Sequence, residues 1–158
     1  MKRPISILLL ISMFMSIIFV SGVYADETTN LLLGGTATAS SEKNGLVAAN
    51  ANDGSESTYW RTNSATTSTL TIALSQQTPV DRFVVKYITG TTGGRYWRDL
   101  FIDAGGSIRV SAADDAEFTS GVIELGEIPV NQEGFVFEAT LKAVSKKAVR
   151  FTFLSDSR

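Results

Sequence analysis

The segment 93–99 combines residue types that could bind a ligand with one apolar face and a rim of hydroxyl groups. It reads Gly-Gly-Arg-Tyr-Trp-Arg-Asp. A saccharide is such a ligand, because an aromatic ring stacks on its C–H face while planar donors bind its hydroxyl groups. The composition predicts a saccharide-binding role for residues 95–98. A second polar pair, just after Trp60, could line the same end of the fold. The candidate ligand-binding residues are Arg95, Tyr96, Trp97, Arg98, Arg61 and Asn63.

A structural alternative stays open for each of these groups. Tyr96 and Trp97 could begin a strand with one ring in the core, and Arg98 could pair with Asp99 in solvent. Arg61 and Asn63 could belong to a solvated loop. Trp60 itself is expected to pack in the core, because its large apolar surface gains most when it is removed from water.

A second candidate site lies in the oxygen-rich turn 50–58, which contains a glycine that lets the backbone fold back. Carboxylate, hydroxyl and carbonyl oxygens are the ligands that Ca²⁺ prefers. The turn therefore suits a calcium ion. The alternative is an Asx-turn in which Asp53 bonds its own backbone without any metal.

Other chemistry is excluded or disfavoured by composition. The chain has no cysteine and no histidine, which removes disulfides, thiol nucleophiles and catalytic triads based on histidine. Asp114 and Asp115 are adjacent carboxylates, but neighbours on a tight turn project apart, so we predict a turn and not a glycosidase pair. Without Lys2 and Arg3 of the leader, the formal net charge is −4, and no basic cluster indicates nucleic acid as a partner.

The first 25 residues are typical of a secretory signal peptide. Lys2 and Arg3 precede an apolar run, and Val23 and Ala25 are small residues placed for cleavage after Ala25. The alternative is an uncleaved anchor, for which the run is slightly short. We expect a secreted, bacterial-type protein with no membrane span after signal removal, and one domain over residues 26–158.

The remaining chain alternates apolar and polar residues with period two, which predicts an all-β fold. Leu70 to Leu74, Phe83 to Tyr87, Ile108 to Val110, Val122 to Leu125, Phe135 to Leu141 and Val149 to Phe153 are the predicted strands. Turn-forming pairs such as Asn44-Gly45 and Gly105-Gly106 separate them. Several short strands of this kind form an antiparallel β-sandwich.

Three stretches together resemble the discoidin family, also called coagulation factor 5/8 type C domains. The first runs from Asn30 to Ser41 and is similar to the family's first strand. The second, from Ala48 to Trp60, carries the Asp-Gly, Thr and Trp spacing that makes the resemblance specific. The third joins the stretches 80–87 and 107–115, which look like the family's paired central strands.

The resemblance implies a jelly-roll β-sandwich of the galactose-binding-like type, similar to family 32 carbohydrate-binding modules. It implies a non-catalytic adhesion module that recognises a glycan through loops at one end, alone or combined with other modules or subunits. It also maps a structural calcium onto Asn50, Asp53, Ser55 and Thr58. The family's remaining calcium ligands come from a last strand that has no obvious copy here, so the domain is expected to lack it or to obtain it elsewhere.

Two other functions stay open. Some discoidin domains bind protein or phospholipid surfaces through exposed apolar loop tips, although no run of large apolar residues stands out in a predicted loop. The chain could also be the N-terminal accessory module of a larger exported glycoside hydrolase or polysaccharide lyase, with the activity elsewhere.

Overall fold

The computed structural model describes residues 30–63, 66–87, 101–103, 105–130 and 136–155. Within these ranges five strands form one antiparallel sheet in the order β1-β2-β5-β3-β4, which confirms the all-β prediction. No helix in the same ranges has the length and apolar character needed to cross a bilayer. The elements are β1 (Thr36–Ala39), a 3₁₀ helix (Ala48–Ala51), β2 (Thr67–Lys86), β3 (Ser107–Ala113), β4 (Ile123–Ile128) and β5 (Val136–Leu154).

Strands β2 and β5 are each about three times longer than an ordinary strand and pair along their whole length. The alternating pattern predicted two strands in each of these regions, and that prediction was wrong. In β2 the residues between the two predicted strands, Ser75 to Thr78 among them, stay in the strand. The pairing register shifts between Ala73 and Thr78, so a bulge lies where the sequence analysis predicted no strand.

The β2–β5 ribbon bends back on itself. Leu70 pairs with Phe151 at one end of the ribbon, and Phe83 pairs with Ala139 toward the other. A straight strand rises about 3.3 Å per residue, so Leu70 and Phe83 would lie roughly 40 Å apart. The rings of Phe83 and Phe151 nevertheless pack edge to face with centroids 6.1 Å apart. The two halves of the ribbon therefore face each other as the two layers of a β-sandwich.

The hydrophobic core fills the space between these layers. It draws inward-facing side chains from both halves of the ribbon and from β3 and β4, and its largest members are almost completely buried. Burying each such side chain stabilises the fold by about 1.5–3 kcal/mol. The core residues are Ile72, Val80, Phe83, Ile108, Val110, Ala112, Leu125, Ile128, Phe137, Val149 and Phe151.

Candidate functional site

A row of aromatic rings marks one end of the sandwich. Trp60 packs on Phe153 with ring centroids 5.6 Å apart, and Phe153 packs on Phe101 at 6.4 Å. Phe101 in turn lies 6.3 Å from Tyr87. Tyr87 and Phe101 are the described residues on either side of the segment 88–100. Both boundaries of that segment are thus held at the same end as Trp60.

Trp60 is fixed by a polar contact as well as by packing. Its indole Nε1 donates to the carbonyl of Ser41 at 3.0 Å, and its side chain is half-buried. The ring contact with Phe153 agrees with the predicted packing role. It differs from the prediction in one respect, because the ring lies at the edge of the core and not inside it.

Two of the six predicted ligand-binding residues follow Trp60 directly. The backbone of Arg61 pairs with the turn 43–46, since Lys43 N donates to Arg61 O at 2.9 Å and Arg61 N donates to Leu46 O at 3.2 Å. Arg61 is half-buried, and Asn63 is exposed, with its backbone N–H on Ser41 Oγ. The other four candidates, Arg95, Tyr96, Trp97 and Arg98, lie outside the described residues.

The turn predicted to bind calcium is closed by hydrogen bonds of its own. Asp53 Oδ1 accepts from the backbone N of Ser55 at 2.8 Å, and Asp53 Oδ2 accepts from Thr58 Oγ1 at 2.7 Å. The Thr58 hydroxyl, followed by the Ser55 N–H, lowers the pKa of the Asp53 carboxyl below its ordinary value. The exposed Asp53 turn is therefore an Asx-turn that is closed further by the hydrogen bond from Thr58 to Asp53.

The donor set of the Asp53 turn fits calcium in type but carries little charge. Thr58 Oγ1 lies 3.4 Å from the Ser55 carbonyl, so a carboxylate, a hydroxyl and a carbonyl come together. The Asn50 side chain donates to Tyr59 O at 3.2 Å. Within the described ranges no group of three or more acidic, histidine or cysteine side chains gathers anywhere. Asp53 is the one carboxylate among the four predicted ligands, and Glu56 of the same turn pairs with Lys86 at 3.2 Å.

Asn52 was missed by the sequence interpretation, although it stands next to Asp53. It is buried, and its Nδ2 donates to the carbonyls of Leu32 and Gly35, both at 2.8 Å. Gly54 has a φ of 82° and a Cβ there would stand 3.0 Å from the Leu33 side chain. Asn52 ties the Asp53 turn to the segment before β1, a link over twenty residues that local sequence cannot reveal.

Asp114 and Asp115 occupy the turn between β3 and β4, as predicted. Asp114 forms an ion pair with Lys146 at 2.9 Å. Asp115 accepts hydrogen bonds from the backbone and hydroxyl groups of Thr119 and Ser120 at 2.6 to 3.2 Å. These bonds, with the Ser120 hydroxyl first, lower the pKa of Asp115 to about 2. Both carboxylates are committed to holding the turn.

The stretch predicted as the first strand begins with a turn. Residues 31–34 reverse the chain, and β1 starts only at Thr36. Leu31 and Leu33 are 38% and 52% exposed and line a surface cavity of about 390 Å³ together with Leu74. An exposed apolar turn is therefore present, which the sequence pattern did not indicate.

Solved structures share this fold. Chitosan-binding module 1 from a chitosanase/glucanase of Paenibacillus sp. IK-5 is 22% identical, with a TM-score of 0.61 over 80% of this chain and 87% of that module. Module 2 of that enzyme, solved with chitotriose, is 18% identical with a TM-score of 0.59 over 80% and 87%. The family 32 module from C. perfringens NanJ, solved with galactose, is 18% identical with a TM-score of 0.57 over 74% and 80%.

These similarities show that the chain has the β-sandwich fold of family 32 and chitosan-binding modules, which is galactose-binding-like. No family model matches the sequence, and no curated protein matches it.

Proposed function

We propose that this protein is a secreted, non-catalytic carbohydrate-binding module, related to the discoidin domains, that holds a glycan at the end of the sandwich marked by Trp60. The observation that carries the proposal is the aromatic row Trp60–Phe153–Phe101–Tyr87. Arg61 and Asn63 follow Trp60 at one end of this row, and Tyr87 and Phe101 at its other end are the described residues on either side of the segment that contains Arg95 to Arg98. The modules of the same fold that were solved with chitotriose and galactose support a saccharide as the ligand.

Binding at this end uses stacking and hydrogen bonds. An aromatic ring of the segment 95–98 takes the C–H face of a sugar, and arginine or asparagine side chains bind its hydroxyl rim. Packing of Tyr87 and Phe101 in the aromatic row fixes the described residues on either side of the segment 88–100, and fixed ends lower the entropy cost of binding. One shallow site gives modest affinity, and tandem modules or subunits raise it through effective concentration.

The module performs no chemistry in this proposal. Hydrolysis of a glycosidic bond needs two carboxyl groups that face each other across the substrate. Asp114 and Asp115 do not meet this requirement, because one pairs with Lys146 and the other closes a turn. Any lyase or hydrolase activity would belong to a partner module in a longer protein.

The test is binding of residues 26–158 to a glycan panel that includes chitooligosaccharides and galactosides. We expect Trp97→Ala and Tyr96→Ala to abolish binding with little change in melting temperature, and Arg61→Ala to weaken it. Thr78→Ala, a change in a strand residue away from the aromatic row, is the matched control. Loss of folding in the ring variants would assign those rings to the core and remove the proposed site.

Leu31 and Leu33 favour a second candidate function, adhesion to a phospholipid surface. Exposed leucines on a turn are the feature by which an apolar loop tip enters a bilayer. Sedimentation with phosphatidylserine vesicles tests this candidate, and Leu31→Ser with Leu33→Ser should abolish any binding. We expect wild-type binding to be negligible, because the net charge of the mature chain is negative.

We also propose that the Asp53 turn binds calcium weakly and in a structural role, in keeping with the resemblance. Asp53 would supply the charge, Thr58 the hydroxyl and Ser55 the carbonyl, and Asn50 lies at the edge of the same turn. A bound ion would fix the backbone of this exposed turn. With a single carboxylate, we expect an affinity in the range of about 10⁻⁴–10⁻³ M that extracellular modules show.

A further inference from the structure

The outer face of the sheet carries a row of polar side chains across four strands, in which Thr38 is exposed, Arg150 is half-buried, and Thr71 and Ser111 are buried. Thr38 of β1 is paired with Thr71 of β2, Thr71 with Arg150 of β5, and Arg150 with Ser111 of β3. Residues directly opposite on paired strands point to the same face. Their sequence neighbours Leu70, Ile72, Val149 and Phe151 are buried in the core, so this row faces away from it.

Arg150 is held in one orientation on this face. Its Nε donates to Thr71 Oγ1 at 2.9 Å. Its guanidinium carbon lies 3.8 Å from the ring centroid of Phe118, so the ring covers the guanidinium plane. Phe118 reaches this place from the turn between β3 and β4, with a left-handed backbone φ of 61°.

The guanidinium of Arg150 has no carboxylate partner among the described residues, although its side chain is half-buried. The contrast with other arginines is clear. Arg82 pairs with Glu138 at 2.8 Å and Arg109 pairs with Glu127 at 2.9 Å, both in exposed positions. A cation that is partly removed from water gains more from a counter-charge than an exposed one does.

The geometry of Arg150 defines what could bind there. Because Nε is taken by Thr71, the two Nη groups at the end of the guanidinium remain as a fork. Such a fork binds the two oxygens of a carboxylate in one plane. The stacked Phe118 ring fixes that plane and offers an apolar edge, while Thr38 beside it is exposed and presents a hydroxyl.

We propose that Arg150, positioned by Thr71 and Phe118, forms a second binding site on the outer sheet face for the anionic group of an acidic saccharide. The carboxylate of a uronate residue is the expected ligand group, and a sulfate ester shares its chemistry. The site lies on the outer face of the strands, whereas Trp60 and Phe153 mark the end of the sandwich. It depends on none of the residues proposed to bind a neutral glycan.

Calorimetric titration with tetragalacturonate, and with its methyl ester as the neutral counterpart, tests the proposal. We expect binding of the acid and at least about tenfold weaker binding of the ester, with the difference reduced by salt. Arg150→Gln should lower the affinity for the acid at least about tenfold, and Arg150→Lys should restore little because it keeps the charge but loses the fork. Thr71→Val should lower the affinity for the acid less, since this substitution only removes the hydrogen bond from Arg150 Nε to Thr71.

Arg82→Gln is the matched control, because it removes the same charge from an arginine that already has a partner. Glu124 lies opposite Ser111 on the same face, so Glu124→Gln should strengthen binding about two- to threefold. Each variant is compared at equal folded fraction by its melting curve. Equal binding of acid and ester, or an unchanged affinity in a folded Arg150→Lys or Arg150→Gln protein, would overturn the proposal.

Two further experiments distinguish uronate from sulfate ligands and the Arg150 site from the site at the Trp60 end. Dextran sulfate and dextran replace the uronate pair, and stronger binding of dextran sulfate than of tetragalacturonate would assign the site to sulfated glycans. Trp97→Ala should leave tetragalacturonate binding intact while neutral glycan binding is lost. Failure of neutral binding alone would count against the site at the Trp60 end, and loss of acid binding in Trp97→Ala would overturn the separate site at Arg150.

Discussion

Two turns of this sandwich use the same pair of positions in different ways. In each, two adjacent Asx residues stand together, Asn52-Asp53 and Asp114-Asp115. The second residue closes its own turn through hydroxyl and backbone donors. The first reaches back to the body of the sandwich. Asn52 does so with a buried neutral amide on two carbonyls, and Asp114 with a half-exposed ion pair.

The two turns differ in whether their conformation is stabilised mainly by a contact with the body of the sandwich or by hydrogen bonds inside the turn. The Asp53 carboxylate accepts two hydrogen bonds, and its turn depends on Asn52, because an unmade hydrogen bond in a buried place costs more than one in water. The Asp115 turn carries four bonds to one carboxylate and needs its anchor less, because Lys146 and Asp114 are partly hydrated. We therefore expect the first residue, Asn52, to contribute more to stability than Asp53 in one turn. In the other turn we expect the second residue, Asp115, to contribute more than Asp114.

The largest effect is expected for Asn52→Ala. The substitution removes the shared donor of the Leu32 and Gly35 carbonyls, and an unsatisfied buried polar group costs about 1–3 kcal/mol. Urea unfolding should show a loss of this size with an unchanged slope. Asn52→Asp keeps the shape but sets a carboxylate against two carbonyl oxygens, and should be at least as harmful at neutral pH. An unchanged free energy of unfolding in Asn52→Ala would show that the Asp53 turn does not depend on the Asn52 amide.

Asp115→Asn comes next, and its effect depends on pH. Because the folded pKa of about 2 lies below the value of an unfolded aspartate, Asp115 stabilises the fold fully above about pH 4. That stabilisation falls as the pH drops from about 4 toward 2. The melting temperature of the wild type should therefore exceed that of the variant near pH 6, and the two should converge near pH 2. A constant difference over this range would contradict the assigned hydrogen bonds.

Calcium should distinguish the two turns, because only the Asp53 turn is proposed to bind it. Calcium at about 10 mM should raise the melting temperature by a few degrees relative to chelator, through binding to the folded state. Asp53→Asn should abolish the rise, and Asp115→Asn should leave it unchanged. An identical curve in chelator and calcium would show that the Asx-turn alone accounts for the Asp53 loop.

The strands and turns could be predicted from the sequence because their signals are local. Alternation marked β3 and β4, and Asn44-Gly45 adopts the predicted positive φ values of 49° and 77°. The continuity of β2 could not be predicted, because Ser75 to Thr78 is a polar segment and the strand continues through the pairing of Ala73 and Thr78 with β5 on either side of a bulge.

The polar features of the molecule likewise fall into those that local sequence predicts and those that it does not. The Asp53 turn and the turn after β3 were predicted because each is a short polar segment with its own donors. Asn52 and Arg150 were missed, because their partners lie far away in sequence. Arg150 reaches Thr71 across 79 residues and meets Phe118 only through the pairing of β3 with β5.

The smallest effect is expected for Asp114→Asn. Its ion pair joins side chains that are 40% and 18% exposed, and partly hydrated pairs contribute about 0–1 kcal/mol. The melting difference should shrink further in 1 M NaCl, where charges are screened within about 3 Å. Gly121→Ala is a useful companion, because a Cβ there would overlap the Asp114 carboxylate and its φ is 59°. If Asp114→Asn cost as much as Asn52→Ala, the ion pair and not the Asp115 bonds would be what orders this turn.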